Sequence, residues 1–190
     1  MKALKIIAFM VLVLFVAVAA LGLLAPKQFA VERSIVIEAP REVVFEHVKY
    51  WRNWSAWSPW TERDSTMSVS VEGTDGEIGS KYVWSGDPKV TGQGEMTNTG
   101  VSENQMIDFH IQFIEPWPSH SDGSIRLAGT EQGTVVKWEF HGENPFPWNI
   151  IMLFMSMDKM VGPDYERGLS LLKAIVEGEQ RANAGDRDEV

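Results

Sequence analysis

Residues 51–60 read WRNWSAWSPW and place half of the chain's eight tryptophans at every third position: Trp51, Trp54, Trp57 and Trp60. Each indole brings roughly 150–250 Å² of surface to bury. Pro59 prevents a helix from running straight through the segment. The spacing therefore predicts a short helix that breaks near Ser58-Pro59, with its rings packed into a larger surface. The rings are core side chains, the mouth of a cavity, or an anchor in a membrane interface, where tryptophan is also enriched.

The chain that follows this segment has a hydrophobic period of two. Its longest one-sided stripe is Ile107, Phe109, Ile111 and Phe113, and polar residues alternate with these. The same alternation occurs near residues 31–38, 67–72, 81–85, 124–128 and 135–141. Turn-forming segments such as residues 85–88 and 121–123 separate the stretches. The pattern predicts an antiparallel meander with one face buried and the other exposed to water.

Two helical stretches accompany the predicted sheet. The first follows Ala39-Pro40, because proline suits a first helical turn. The second begins after residues 144–147 and runs to about Val176, with an interruption at Gly162-Pro163. Its first half, residues 150–161, is apolar nearly all round and holds four of the nine methionines. That half is either a fully buried helix or a pliable lid over a ligand cavity.

The N-terminus is apolar over a long stretch. Residues 6–25 are twenty consecutive positions without a charged or polar side chain, about 30 Å of helix and enough to cross a bilayer. A signal peptide cleaved near residues 17–19 is the competing interpretation, but the apolar run continues past that point. We expect a retained single-pass anchor, and Lys2 and Lys5 slightly favour an extracytoplasmic domain. The predicted organisation is an anchor over 1–28, one domain over 29–177, and a polar, disordered tail over 178–190.

Composition excludes several classes of function. The net charge is −9 and the chain has no cysteine. No basic cluster occurs that could neutralise a nucleic-acid backbone or grip anionic lipids. We expect no metal or other cofactor, since no pair of histidines or carboxylates has the helical spacing of a zinc site. His110 and His141 lie on the water-facing side of their strands by parity. His47 lies on an apolar helix face, where a lone histidine is more often structural, and His120 lies in a loop. We therefore expect no catalytic residue.

Several segments resemble the helix-grip superfamily, which includes START lipid-transfer domains and polyketide cyclases and is often abbreviated SRPBCC. Residues 31–48 (VERSIVIEAPREVVFEHV) are similar to its first strand and helix. Residues 53–60 (NWSAWSPW) are similar to its second helix and the following turn. Residues 81–86 (KYVWSG) and 92–97 (GQGEMT) resemble its third and fourth strands. Residues 157–177 (MDKMVGPDYERGLSLLKAIVE) resemble its closing helix. The resemblance covers roughly residues 31–177 and is closest to the bacterial polyketide cyclase/dehydrase-like subgroup, some of whose members carry an N-terminal membrane segment.

The resemblance implies an α+β, helix-grip fold, in which a curved antiparallel meander wraps around a long C-terminal helix and encloses an apolar cavity. Inward-facing positions supply its expected ligand-binding lining: Trp57, Trp60, Tyr82, Trp84, Met96, Phe109, Phe113, Trp138 and Phe140, with Met157 and Met160 closing it from the helix. Alternatively, these side chains fill the interior themselves. We expect a membrane-anchored protein that binds a hydrophobic small molecule or lipid. The alternatives are a polyketide cyclase/dehydratase-type enzyme and a protein-interaction module of the chaperone-activator type.

Overall fold

Seven strands form one antiparallel sheet in the computed structural model, which describes residues 2–188. The strands are β1 (Gln28–Ile37), β2 (Ser68–Glu72), β3 (Lys81–Ser85), β4 (Gln93–Ser102), β5 (Met106–Glu115), β6 (Ser119–Thr130) and β7 (Gly133–Glu143). Their order across the sheet is β1-β7-β6-β5-β4-β3-β2. The last six strands are thus a meander, as the alternating pattern predicts, and β1 closes against the final strand.

The helices lie before, within and after the sheet sequence. They are α1 (Lys2–Leu24), α2 (Arg41–Lys49), α3 (Trp51–Trp54), α4 (Pro59–Arg63), a 3₁₀ helix (Trp148–Leu153) and α5 (Met157–Asp188). The long α5 packs mainly against β1, and α2 and α4 also contact it. The predicted helix-grip architecture is confirmed, with one additional apolar helix at the N-terminus.

The tryptophan segment forms the centre of the core. Trp51, Trp54 and Trp57 are all at most 1% exposed. Each indole N–H donates to a backbone carbonyl oxygen: Trp51 to Ser80 (3.2 Å), Trp54 to Val48 (2.7 Å) and Trp57 to His47 (3.3 Å). Burial of these large rings therefore leaves none of the three polar nitrogens unpaired.

Two glycines allow α5 to approach its neighbours closely. A Cβ at Gly162 would lie 2.1 Å from Nη2 of Arg33, whose guanidinium bonds the carboxylates of Asp158 and Glu166. A Cβ at Gly168 would lie 2.8 Å from the ring of Trp138. The predicted helix interruption at Gly162-Pro163 is therefore wrong: α5 runs through both residues, and Gly162 makes room for Arg33 instead of ending the helix.

The structure differs from the sequence prediction in three further places. Residues 121–123 lie inside β6 and not in a turn, because Gly123 leaves space for the ring of Phe109, which a Cβ would meet at 2.3 Å. Of the two alternatives for residues 150–161, the structure contradicts the fully buried helix: the 3₁₀ helix ends at Leu153, α5 begins at Met157, and Phe154 between them is 81% exposed. The helix α5 also continues to Asp188, across most of residues 178–190, for which the sequence predicts a disordered tail. Residues 189–190 of that tail lie outside the described residues.

Helix α1 stands almost free of the domain. Its apolar side chains are exposed along its whole length, and Gly22 is its one buried residue. It is long and apolar enough, by length and composition alone, to span a membrane. A signal sequence at the N-terminus can have the same length and composition.

Candidate functional site

A cavity of about 230 Å³ lies between the inner face of the sheet, helices α3 and α4, and the first half of α5. Most of its lining is apolar. Strands β3, β4, β5 and β7 contribute Tyr82, Trp84, Met96, Phe109, Ile111, Phe113, Trp138 and Phe140; the helices contribute Trp54, Trp60, Val161, Asp164 and Tyr165; and connecting segments contribute Ser58, Met67, Val90 and Thr91.

The floor of the cavity is a set of packed aromatic rings. Trp138 stacks on Tyr165 with ring centroids 3.9 Å apart and an interplanar angle of 17°. The rings of Trp54, Trp57 and Trp60 meet Trp138 edge to face at 5.2–5.9 Å. Such pairs add stability beyond their buried area, so this end of the cavity is held rigidly.

The mouth of the cavity lies where the lining residues become partly exposed. Val90 in the β3–β4 loop is 42% exposed, and Met67, Phe113 and Val161 are partly buried. These residues place the opening between the β3–β4 loop and the first turns of α5.

Gly94 makes room for the wall next to this opening. A Cβ at Gly94 would lie 2.3 Å from the indole of Trp84 and 2.5 Å from the carbonyl oxygen of Gln112. The glycine thus lets the Trp84 ring lie flat across β4, where it meets the Phe113 ring edge to face at 5.9 Å. This agrees with the sequence interpretation of the GQG motif as backbone room in a strand and not as a phosphate loop.

Asp64, at the end of α4, fastens the β3–β4 loop beside the mouth. Its carboxylate accepts hydrogen bonds from the Thr66 hydroxyl (2.6 Å), the Thr91 hydroxyl and the backbone N–H groups of Asp87 (2.9 Å) and Thr66 (3.0 Å). Asp64 is buried. These hydrogen bonds hold the pKa of this carboxyl well below its usual range; the bond from the Thr66 hydroxyl contributes most, followed by the bond from the Thr91 hydroxyl.

Asp64→Asn is expected to destabilise the domain at neutral pH and to weaken the hydrogen bonds that hold the β3–β4 loop, residues 86–92, in place. The folded-state pKa lies below the unfolded value of about 3.9, so the stabilisation is fully present above that value and is lost as the pH falls through the folded-state pKa. The difference in unfolding free energy between wild type and variant should be constant from pH 7 to 5 and should shrink below pH 4. Urea titrations across this range measure it.

The control for this prediction is Glu131→Gln, at an exposed position in the β6–β7 turn. Exposed substitutions of this kind usually change stability by less than about 0.5 kcal/mol. A stability difference for Asp64→Asn that stays the same down to pH 3 would contradict the role assigned to the carboxylate.

Two phenols add neutral polar groups to the lining, which is mostly apolar but also contains Ser58, Thr91 and Asp164. Burial raises the pKa of Tyr82, and burial raises the pKa of Tyr165 strongly. The Tyr82 hydroxyl lies 3.5 Å from Oγ of Ser55. Both phenols therefore stay protonated at neutral pH and suit a neutral polar group better than a metal ion.

Two ion pairs join α4 to α5 next to the mouth. Asp164, in the lining, receives two hydrogen bonds from the guanidinium of Arg63 at 3.1 and 3.2 Å. One turn further along, Arg167 donates to the Glu62 carboxylate at 2.6 and 3.0 Å. These pairs are largely exposed, so they orient the helices more than they stabilise them.

The cavity brings together eight of the eleven residues that the sequence predicted as its lining: Trp60, Tyr82, Trp84, Met96, Phe109, Phe113, Trp138 and Phe140. Three lie elsewhere. Trp57 is fully buried in the floor, where it packs on Trp138 without lining the cavity; Met157 is partly buried against the core, and Met160 is 53% exposed. Sequence reasoning missed the other nine lining residues: Trp54, Ser58, Met67, Val90, Thr91, Ile111, Val161, Asp164 and Tyr165. Of these, the alternation in β5 marks Ile111 as inward-facing.

The opposite face of the sheet is charged and open to water. Arg126 bonds Asp108 and Glu139, and His110 Nδ1 lies 2.8 Å from the Asp122 carboxylate. His110 and the other groups of this face thus lie across the sheet from the cavity, as their parity predicts. Among residues 2–188, the structure contains no group of histidines and carboxylates arranged to hold a metal ion.

Comparison with known proteins places these features in a family. The model of the family described as "Polyketide cyclase / dehydrase and lipid transport" matches residues 28–177. That range covers the whole sheet and most of α5, and it excludes α1. No curated protein sequence matches the chain.

Solved structures share the fold at low sequence identity. Protein CV1439 from Chromobacterium violaceum is 16% identical, with a TM-score of 0.57 over 78% of this chain and 96% of its own. Protein SA2116 from Staphylococcus aureus, titled as of unknown function, is 11% identical with a TM-score of 0.64 over 82% and 97%. The di-domain ARO/CYC StfQ from the steffimycin biosynthetic pathway is 11% identical with a TM-score of 0.60 over 83% and 52%. At these identities the similarity establishes the fold alone.

Proposed function

The chain belongs to the polyketide cyclase/dehydrase and lipid transport family, and we propose that it is a membrane-anchored protein that binds a hydrophobic small molecule or lipid. The observation that carries the proposal is the apolar cavity between the sheet and α5. Packed aromatic rings form its floor, and an opening lies beside the β3–β4 loop. Concave, mostly apolar sites with a few polar groups are the usual form of small-molecule sites.

The size of the cavity limits the ligand. Its volume of about 230 Å³ is below the roughly 300–1,000 Å³ of typical ligand pockets. A compact apolar group, or one end of a longer molecule, fits without rearrangement. The phenols of Tyr82 and Tyr165 supply neutral hydrogen-bonding groups for a hydroxyl or carbonyl at the buried end.

Catalysis of the cyclase or dehydratase type is the second candidate. General acid–base chemistry needs a titratable group within hydrogen-bond reach of the substrate. Among the described lining residues Asp164 is the one carboxylate, and the Arg63 guanidinium already occupies it. Binding without chemistry therefore has the stronger support.

Membrane attachment through residues 6–25 is the other half of the proposal. The run is uncharged and longer than the 7–15 apolar residues that a signal peptide needs. As the helix α1, it buries almost none of its surface against the domain. Exposing such an apolar helix to water is unfavourable, whereas a bilayer covers its apolar side chains.

Mass spectrometry of the detergent-extracted full chain tests both halves. We expect an intact N-terminus that retains residues 6–25, and a hydrophobic molecule released from the protein on denaturation. A mature N-terminus near Ala20 would overturn the anchor. A chain that consistently carries a partner protein and no small molecule would favour the interaction module instead.

A further inference from the structure

The segment between β7 and α5 exposes a row of large apolar side chains. Six of them are 41–81% exposed: Phe146, Trp148, Ile151, Leu153, Phe154 and Met155. We call these six residues the apolar rim. The sequence has no charged residue between Glu143 and Asp158, so the whole segment can leave water without burying a charge.

The apolar rim is fastened to the end of α1. The side chain of Asn149 is fully buried, and its Nδ2 donates to the carbonyl oxygens of Gly22 (2.8 Å) and Ala25 (3.2 Å). Such carbonyl groups at a helix C-terminus have no partner within the helix. The Phe146 ring covers Gly22 so closely that a Cβ there would lie 2.4 Å from it. The rim therefore lies level with the last turn of α1, where Leu23 and Leu24 are about 80% exposed.

The same end of the sheet carries the mouth of the cavity. The strand β1 begins there and β7 ends there, paired through Gln28 and Glu143. The β3–β4 loop and the β5–β6 loop lie at this end as well, because antiparallel neighbours alternate in direction. The β5–β6 loop adds Trp117, which is 80% exposed. One end of the domain thus combines the end of α1, the apolar rim, Trp117 and the cavity opening.

We propose that the apolar rim and Trp117 insert into the interfacial layer of the bilayer that α1 spans, so that the cavity opens onto the membrane surface. The substrate class is then an amphiphile dissolved in that leaflet, which passes into the cavity without crossing water. This inference rests on the proposed function, because it needs α1 to be a retained anchor. Tryptophan and phenylalanine suit the interface, where an aromatic ring can lie between headgroups and acyl chains.

The surface that covers the apolar rim is a lipid bilayer and not a groove on a partner protein. The rim continues directly from a helix that is itself apolar enough to cross a bilayer, and both are fixed to each other through Asn149. Because the rim has no basic residues, apolar area drives the insertion and anionic lipid is not required. Vesicles of phosphatidylcholine alone are therefore the appropriate probe.

The absence of cysteine from the chain permits a direct test with single-cysteine spin labels on the full-length protein in phosphatidylcholine vesicles. Three variants report on three positions: Leu12→Cys in the middle of α1, Phe154→Cys in the rim, and Glu131→Cys in the β6–β7 turn at the opposite end of the sheet. Accessibility to oxygen, which concentrates in lipid, is compared with accessibility to a water-soluble nickel chelate. We expect the Leu12 and Phe154 labels to be shielded from nickel and the Glu131 label to be open to it.

The outcomes separate the rim from the anchor. A Phe154 label as open to nickel as the Glu131 label, with Leu12 embedded in lipid, would overturn the rim insertion and leave the anchor in place. A Leu12 label that is open to water or cleaved from the chain would overturn the anchor and the rim contact together. Since Phe154 is 81% exposed, its replacement removes no packing from the domain.

Discussion

Replacing Trp54 by alanine is expected to destabilise the domain by about 3–5 kcal/mol, the usual cost of removing a packed core tryptophan. The ring is 1% exposed and lies within 6.4 Å of five other aromatic rings: Trp51, Trp57, Tyr82, Phe109 and Trp138. Its N–H also donates to the carbonyl oxygen of Val48. Leaving that buried acceptor without a partner adds about 1–3 kcal/mol. Urea unfolding of the detergent-solubilised full chain, followed by near-ultraviolet circular dichroism, measures the change.

Trp148→Ala is the matched control for this prediction. It is the same substitution at a ring that is 65% exposed in the 3₁₀ helix, and we expect a change within about 0.5 kcal/mol. A loss of only about 1 kcal/mol at Trp54, similar to the control, would contradict the assignment of Trp54 to the centre of the core. Such a result would favour the alternatives that the tryptophan segment lines a cavity mouth or anchors the domain in a membrane interface.

The strands of this fold could be predicted because their signal is local. Ile107, Phe109 and Ile111 alternate with polar neighbours, and the structure buries all three on the inner face. Turn residues divided most of the strands correctly for the same reason. Residues 121–123 were predicted as a turn, because glycine is frequent in turns and local sequence does not distinguish it from a glycine inside a strand. What distinguishes Gly123 is the Phe109 ring of the neighbouring strand, a contact that local sequence does not contain.

The cavity could be predicted from the sheet side and much less from the helix side. Parity places Tyr82, Trp84 and Trp138 on the inner face, whatever the helices do. The rotation of α5 about its axis instead depends on where it docks, which Arg33 and Gly162 determine through contact with β1. With the helix in that position, Val161 and Tyr165 face the cavity, whereas Met160, which was predicted to close it, faces solvent.

Trp57 illustrates a different limit. A spacing of three along a short, broken helix leaves the direction of each ring undetermined. The sequence therefore predicts both Trp57 and Trp60 as cavity residues and cannot distinguish them. The structure buries Trp57 against Trp138 and leaves Trp60 in the cavity wall. The difference arises at Pro59, where α4 begins and the chain changes direction.

Filling the cavity mouth is expected to abolish ligand uptake while the fold is kept. Val161→Trp places an indole at a partly buried position of α5 that lines the cavity. The added ring enters empty space and displaces no core side chain, so the stability should change by less than the roughly 1–3 kcal/mol of an overpacked core. Binding of a photoactivatable, clickable fatty acid in membranes that contain the full chain should fall by at least about tenfold, which corresponds to a loss of about 1.4 kcal/mol.

The neighbouring residue provides the control, because Met160→Trp adds the same side chain one position away, where the helix faces solvent. That variant should retain the crosslinking yield of the wild type, and peptide mapping should still place the crosslinks at cavity residues such as Met96 and Phe113. Equal loss in both variants would mean that bulk on α5, and not occupation of the cavity, blocks the ligand. Unchanged crosslinking in Val161→Trp would place the binding site outside the cavity, since an indole at residue 161 takes up a large part of its volume of about 230 Å³.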